Sequence, residues 1–560
     1  MNKRIVTILI VGIIIFAVGY APIVLVNAQT PSHSYTTTTV DGVRIGYDIT
    51  MKPGTPMNAP VAILVHGFAG NRIMMRMIAW GLAQDGFICA SLDLRGHGSS
   101  EGSMSGLIIG PGNFSNDVNA VIASLHANGI GNTSRLVLIG HSMGGAVVLS
   151  LGAQLPSVQA VIALEPAASP SYVNTTNPKN LLLVMSTGDS VINDTAIKAT
   201  FYKSINNTAG NENTVYDISG NRRELFVVGG IDHLSVLYTS VVVAEVVKWA
   251  TTYVQGTAQP LTISPEIIAL GAYVSIAGGI IIIISALTLV YDALRPPKRK
   301  SEAPTKTDIK SFLTLGIATI LLAGTIGSIL AVILIFVFAL ALPLLVSDFL
   351  VGIYLANAII IAIVALITLK RRSKGSSYRK LIKQSIATPT VKRDAIFGIV
   401  TAIAFIGLLS ITLGGTITAT TSTSSVRLLT LPVYALIFGV IFLLYESFFK
   451  GVVRPVLGSG VKRMALSVIF EIVVLLVIFA FQLVVITALL SFIMPSLGIG
   501  NLILGLGVQT YLLFLVPITM AVISSELFYE KTGGWLPQII VSALLFAALT
   551  VVLSPVVSLF

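Results

Sequence analysis

The sequence predicts two unlike parts: a doubly wound α/β domain with a mostly parallel sheet and, after it, an all-α region of several membrane spans. Three observations carry this. Between residues 60 and 255, short β-branched runs alternate with helix-like runs. One of those short runs opens directly onto Gly140-His141-Ser142-Met143-Gly144, a G-x-S-x-G pattern that continues as a helix-like stretch. From Glu266 onward, long apolar runs alternate with short charged loops.

Composition supports the division. Of the 560 residues 54% are hydrophobic and 11% charged, with a mean hydropathy of +0.89, too apolar for one soluble domain. Residues 27–264 carry 12 Lys and Arg against 14 Asp and Glu, so nearly all of the net charge of +11 comes from the rest of the chain. Those positive charges sit in short loops between apolar runs, which argues for a lipid bilayer and against nucleic acid as the partner. All six histidines (His33, His66, His97, His126, His141 and His233) precede residue 265, so the predicted membrane part has no imidazole for proton transfer or metal binding. No metal site and no cofactor is expected. The single Cys89 reads as a buried strand residue and permits no internal disulfide.

Taken in order, the chain begins with Lys3-Arg4 and an uncharged stretch from Ile5 to Val26. Val26-Asn27-Ala28 has the small residues of a signal-peptide cleavage site, whereas about 22 apolar residues also suffice for an uncleaved anchor. Both readings put residues 29–260 outside the cytoplasm. Strand-like runs follow at 60–65, 87–93, 136–139, 158–164, 181–186 and 223–228, with helix-like runs at about 71–84, 114–129, 143–154, 193–205 and 234–255. Candidate spans fall at about 267–291, 313–341, 349–369, 395–416, 429–449, 465–490, 501–525 and 536–557, with Pro343 marking the turn in the long region 312–346. The expected domains are therefore 1–28, 29–260 and 265–560, the last with about eight helices.

Charge sets the expected orientation. Lys and Arg number six at 295–310, nine at 370–393, four at 450–463 and one at 531, whereas the opposite loops hold only Arg427. The positive-inside rule makes every basic loop cytoplasmic and returns Glu266, with the domain before it, to the outer face. Five sequons, at Asn113, Asn132, Asn174, Asn193 and Asn206, lie in that domain and are compatible with export.

The chemistry centres on Ser142. A serine on a sharp strand-to-helix turn exposes its hydroxyl at a helix N-terminus, where negative charge is favoured, and the small residues Gly140 and Gly144 let the backbone turn without clashes. At the end of the first strand-like run stands His66-Gly67-Phe68-Ala69-Gly70. The second ends in Asp93-Leu94-Arg95-Gly96-His97-Gly98-Ser99-Ser100. With the H-G-x-x-G loop, the D-x-R-G-H-G-x-S loop and the G-H-S-M-G-G elbow in this order, the region of about 35–258 resembles the α/β-hydrolase superfamily, serine hydrolases of the esterase, lipase and peptidase kind.

The resemblance implies the order Ser, then Asp or Glu, then His. It makes Ser142 the nucleophile and the backbone N–H groups of Met143 and Phe68 the oxyanion donors, each worth a few kcal/mol at the transition state. His66 and His97 match loop-shaping positions, as does Gly67, and His141 reads as pocket lining. The acid is expected after the strand 181–186, at Asp189 in Thr187-Gly188-Asp189-Ser190. Glu165, which ends Ala163-Leu164-Glu165, is the alternative. The base is His233 in Gly229-Gly230-Ile231-Asp232-His233, the one His-bearing loop left after the last strand. About 20 residues separate Glu165 from Asp189, too few for the large helical cap of many lipases, so the site should be open to short esters, bulky polar esters or peptides.

In the apolar half, Tyr445-Glu446-Ser447-Phe448-Phe449-Lys450-Gly451 and Ser525-Glu526-Leu527-Phe528-Tyr529-Glu530-Lys531 end two spans alike. They are a degenerate likeness of the Glu/Arg motif of CPBP-type intramembrane proteases, without its doubled glutamate, and read more simply as aromatic belts with snorkelling charges. Glu471, well inside a span, calls for a partner such as a loop lysine. Three function classes follow: a membrane-anchored exterior serine hydrolase acting on a small ester, lipid or peptide substrate; a transporter or membrane-complex component whose exterior domain processes or binds cargo; and a catalytically dead module. The intact Ser142, Asp189 and His233 set favours the first.

Overall fold

A computed structural model of the chain describes all residues except 1–2, 106–111, 193, 295–308, 373–382, 384–389, 458–459, 494–498 and 559–560. Most of the basic loops expected at 295–310 and 370–393, and the sequon at Asn193, lie outside the described residues. Two compact units emerge. One comprises residues 14–278, 409–428 and 552–560; the other comprises 1–13, 279–408 and 429–551.

The first unit is built on a nine-stranded sheet in the order β1-β2-β4-β3-β6-β7-β8-β10-β9. Its central strands are β3 (Pro60–Val65), β4 (Ile88–Leu92), β6 (Asn132–His141), β7 (Val158–Leu164), β8 (Leu181–Ser186) and β10 (Asn221–Val228), all parallel. These are the strands read from the sequence. Three more strands pair antiparallel at the edges: β1 (Ser32–Thr38), β2 (Arg44–Thr50) and β9 (Tyr216–Ile218). The first, Ser-His-Ser-Tyr-Thr-Thr-Thr, is half exposed and has no apolar alternation for a sequence reading to detect.

Parallel strands covered on both faces must be apolar throughout, and β3 and β8 are fully buried. Successive side chains divide between two cores. Val61, Ile63 and Val65 face Val118 and Val121 of α3 (Phe114–Ala127), Val147 of α4 (Met143–Gly152) and Phe201 of α5 (Asp194–Ser204). Ala62 and Leu64 face Ile78 and Leu82 of α2 (Arg76–Gln84) and Val243 and Val247 of α6 (Ser240–Ala250). The chain crosses from β3 to β4 in one direction and onward from β6 in the other. The cleft at the carboxyl ends of β3 and β6 is therefore the topological switch point, where such sheets take ligands.

Eight described helices are long and apolar enough to cross a membrane, by length and composition. They are α1 (Lys3–Gln29), α7 (Pro265–Ala293), α8 (Ile309–Ala341), α9 (Leu345–Arg372), α10 (Val391–Thr412), α11 (Ser425–Phe448, prolonged to Leu457), α12 (Val461–Ile493) and α14 (Leu536–Leu553). A further helix, α13 (Ile499–Thr532), covers the remaining expected span at 501–525. Pro343 does stand in the turn between α8 and α9.

Two spans stop short of expectation, whereas those expected at 429–449 and 501–525 run on to Leu457 and Thr532. The span expected at 395–416 stops at Thr412, because Gly414-Gly415 and a Thr/Ser-rich run cannot sustain a helix. The span expected at 536–557 stops at Leu553, two residues before Pro555, and the chain beyond it forms β11 (Val557–Ser558), paired with β5 (Met104–Ser105).

In the second unit, Glu471 finds its lysine. The Lys450 ammonium lies 3.1 Å from Glu471, 2.6 Å from Glu526 and 3.9 Å from Glu446, all buried. Ser467 and Ser525 donate to Glu526 (2.5 Å) and Glu446 (2.9 Å), and Arg454 approaches Glu526 at 3.1 Å. The two similar span ends thus meet in one buried network, next to a π-helical turn at Phe449–Val453. Sequence alone could not bring residues 446, 471 and 526 together.

Candidate active site

Ser142 stands between β6 and α4 with φ 55° and ψ −117°, a conformation that costs an L-residue energy and is kept because the packing around it demands the turn. Its amide donates to Leu164 O at 2.9 Å, and its carbonyl accepts from Ala167 N at 3.0 Å, so the adjacent β7 end clasps the turn. The glycines are needed here. A Cβ on Gly144 would lie 2.3 Å from Val65 O, and one on Gly140 would lie 2.2 Å from Gly144 O. Ser142 itself is 7% exposed.

The 66–70 loop leaves β3 and lies against the turn, so closely that a Cβ on Gly67 would sit 2.9 Å from Ser142 Cβ. His66 shapes it. One ring nitrogen donates to Gly67 O at 2.7 Å, and the other accepts from Leu94 N at 3.1 Å, joining this loop to the one after β4. His97 packs on His66 with ring centroids 5.0 Å apart and donates to Arg95 O at 3.1 Å. Burial depresses both imidazoles below their ordinary range, so they are neutral hydrogen-bonding groups. Phe68 is partly buried, its ring edge-on to His97. Met143 opens α4 and is fully buried.

His233 and Asp189 come from the loops after β10 and β8, adjacent parallel strands. His233 Nδ1 lies 2.5 Å from Asp189 Oδ2, and the other Asp189 oxygen accepts from Val191 N at 2.6 Å. Burial works to raise Asp189, but the His233 contact outweighs it and holds the carboxyl below the usual range. Glu165 is fully buried beside Asp189 and accepts from Ser186 N. Burial, reinforced by the Asp189 charge, pushes it up to about 10. The two carboxyls named from sequence are therefore neighbours in unlike states, and the one that meets the imidazole is Asp189.

His141, which its place in the motif made a candidate for pocket lining, is tied to the backbone of His233. It is 2% exposed, its Nε2 donates to His233 O at 2.8 Å, and its ring lies 4.6 Å from that of His233. Burial, together with His233, pushes it down to about 3. A second residue was invisible to sequence reasoning. Ser186, at the end of β8, donates to Ile231 O and accepts from Ile231 N and Gly188 N, both at 3.2 Å, tying the Asp189 loop to the His233 loop. A serine closing an apolar strand gives no sequence signal. Among the described residues no group of three or more His, Cys, Asp or Glu is arranged to hold a metal ion.

Comparisons with known proteins agree with this architecture. Residues 57–217 match the family described as serine aminopeptidase, S33. A monoacylglycerol lipase of Mycolicibacterium smegmatis is 32% identical over 144 residues, 26% of this chain and 49% of that one. An uncharacterised hydrolase of Bacillus subtilis is 30% identical over 140 residues, 25% of this chain and 46% of that one. The chain thus spans about half the length of these relatives. Among solved structures, an esterase of Pyrococcus furiosus matches 38% of this chain and 88% of its own at 17% identity, with a TM-score of 0.31. The chain has a domain of the α/β-hydrolase fold and, beyond it, several long apolar helices of membrane-spanning length.

Proposed function

We propose that this α/β-hydrolase domain is a serine hydrolase that cleaves carboxylic esters, working at the outer face of a membrane in which the long apolar helices are embedded. The observation that carries the reading is the 2.5 Å contact of His233 Nδ1 with Asp189, at the carboxyl ends of the parallel strands, where Ser142 also stands on its strained turn. Ser142, Asp189 and His233 leave the carboxyl ends of three parallel strands of one sheet, β6, β8 and β10, and this common placement supports the reading.

In this mechanism His233 Nε2 takes the Ser142 proton as Oγ attacks the ester carbonyl, and Asp189 steadies the imidazolium. The oxyanion is met by the backbone N–H groups of Phe68 and Met143, at the N-terminus of α4. His233 then returns the proton to the leaving alkoxide, and a water activated the same way releases the acid and restores Ser142. Small ester or glyceride substrates are supported by the lipase and hydrolase relatives. The short β7–β8 connection supports them too, having only a single 3₁₀ turn, Pro170–Tyr172, where larger caps would sit. Peptides are the second substrate class, in line with the matched family's description.

The test is labelling of the full-length protein with a fluorophosphonate probe, alongside hydrolysis of p-nitrophenyl esters. Wild type is expected to label and Ser142→Ala to lose both labelling and turnover, a fall of roughly a million-fold in kcat. An unlabelled wild type, or a Ser142→Ala variant that labels equally, would remove the enzyme reading.

A further inference from the structure

The connection between α10 and α11 belongs to the same compact unit as the hydrolase sheet, although it lies more than 150 residues beyond it in sequence. It touches the residues that follow the oxyanion loop, the loop after β4 and the stretch beyond His233. At the oxyanion loop, Asn71 directly follows Gly70; its amide donates to Thr418 Oγ1 at 2.9 Å and accepts from Ala419 N at 3.0 Å. One turn on, Arg76 donates to Gly415 O at 2.8 Å. At the loop after β4, Ser422 donates to Gly98 O at 2.6 Å, and Glu101 accepts the amide of Ser425 at 2.9 Å, capping the start of α11. Beyond His233, the Tyr238 hydroxyl donates to Ile417 O at 3.0 Å.

Arg427 completes the arrangement. It is 1% exposed, and its Nη2 donates at 2.7 Å both to Gly96 O and to Ser554 O. Gly96 O also accepts Val556 N at 2.8 Å, so the C-terminal segment closes on the same carbonyl. These contacts are specific rather than incidental: Asn71, Thr418 and Arg427 are each at least 96% buried, Asn71 Nδ2 meets Thr418 Oγ1, and Arg427 Nη2 meets two backbone carbonyls.

We propose that Thr418, Ser422 and Arg427 are positioning residues of the hydrolase site. Through Asn71, Gly98 and Gly96 they hold the loops of Phe68 and Gly96 in catalytic register, so that the α/β domain is complete only with this connection. The inference rests on the serine-hydrolase reading above. The oxyanion donor at Phe68 lies three residues from Asn71, and a displacement of about 1 Å in such a donor is enough to cost on the order of 100-fold in rate. The hydrogen bonds described for the three side chains go to Asn71, Gly98, Gly96 and Ser554, so the expected effect is on kcat rather than on KM.

The experiment uses the full-length protein in detergent and compares wild type with Thr418→Val, Ser422→Ala, Arg427→Ala and Arg427→Lys. Fluorophosphonate labelling rate, kcat and KM for a p-nitrophenyl ester, and melting temperature are measured on each. The expected result is a fall of about 10- to 100-fold in kcat and labelling rate for Thr418→Val and Arg427→Ala, with KM within about twofold of wild type and partial recovery in Arg427→Lys. Should wild type itself fail to label, the hydrolase reading falls and this inference with it. With wild type active, folded variants that label at the wild-type rate overturn the positioning role alone, and so does a rise in KM at unchanged kcat. Where Arg427→Ala gives no folded protein, Thr418→Val and Ser422→Ala decide by the same criteria.

Discussion

His66, His97 and His141 each spend a ring N–H on a backbone carbonyl, of Gly67, Arg95 and His233 respectively, and each is held neutral by burial. Unfolded, they would gain protons near their ordinary value of about 6.5, while the folded chain resists until far lower pH. The unfolded state thus binds more protons as pH falls, and stability falls with it. Asp189, held low by His233, acts in the same direction at more acidic pH. Melting temperature should be clearly lower at pH 5 than at pH 7; an unchanged value would contradict this account of the histidines. Glu165 has the opposite sign. Its folded-state value of about 10 means that stability is lost as pH rises above the ordinary carboxylate range. Glu165→Gln, a neutral isostere, should keep near-wild-type labelling and gain a melting advantage that widens from pH 5 to 9. Asp189→Asn should lose roughly 10⁴-fold in kcat. Equal losses in the two variants would show that Glu165 is charged in the working site.

At the scale of elements, the site depends on how strand ends are tied. Ser186 links the Asp189 and His233 loops through one hydroxyl, which donates once and accepts twice. Ser186→Ala leaves the two amides without that acceptor, at a cost of about 1–3 kcal/mol, and should lower kcat more than it changes KM. A variant with unchanged melting temperature and kcat would show the link to be dispensable. The central strands and all five helices of the domain were legible in advance because buried parallel strands are near-continuous apolar runs punctuated by glycine-rich turns. The edge strands β1 and β9 were not, since a half-exposed edge carries no such pattern, and neither was the buried β2, where Gly46 and Asp48 interrupt the apolar run.

For the whole molecule, the helical unit buries a charge network in which Lys450 meets Glu446, Glu471 and Glu526. Removing its only ammonium by Lys450→Met strands carboxylates out of water, at a cost of about 3–5 kcal/mol, which melting in detergent would register. A melting temperature equal to wild type would show the charges to be hydrated. Orientation can be tested with one engineered residue. Cys89 is fully buried and Val40 is 95% exposed, so in intact cells a membrane-impermeant maleimide should label Val40→Cys and leave wild type untouched. Labelling of Val40→Cys only after permeabilisation would place the hydrolase domain on the cytoplasmic side.

The elbow at Ser142, the order of the loops at 66, 93, 189 and 233, and the apolar periods of the helices could all be read from the chain, because each is a local pattern set by neighbouring residues. That Asp189 rather than the alternative Glu165 meets His233, what His141 touches, and that Thr418 and Arg427 reach loops beside the candidate site could not. Those depend on contacts between residues 44 to more than 300 positions apart, and only burial and hydrogen-bond geometry in the folded chain select among them.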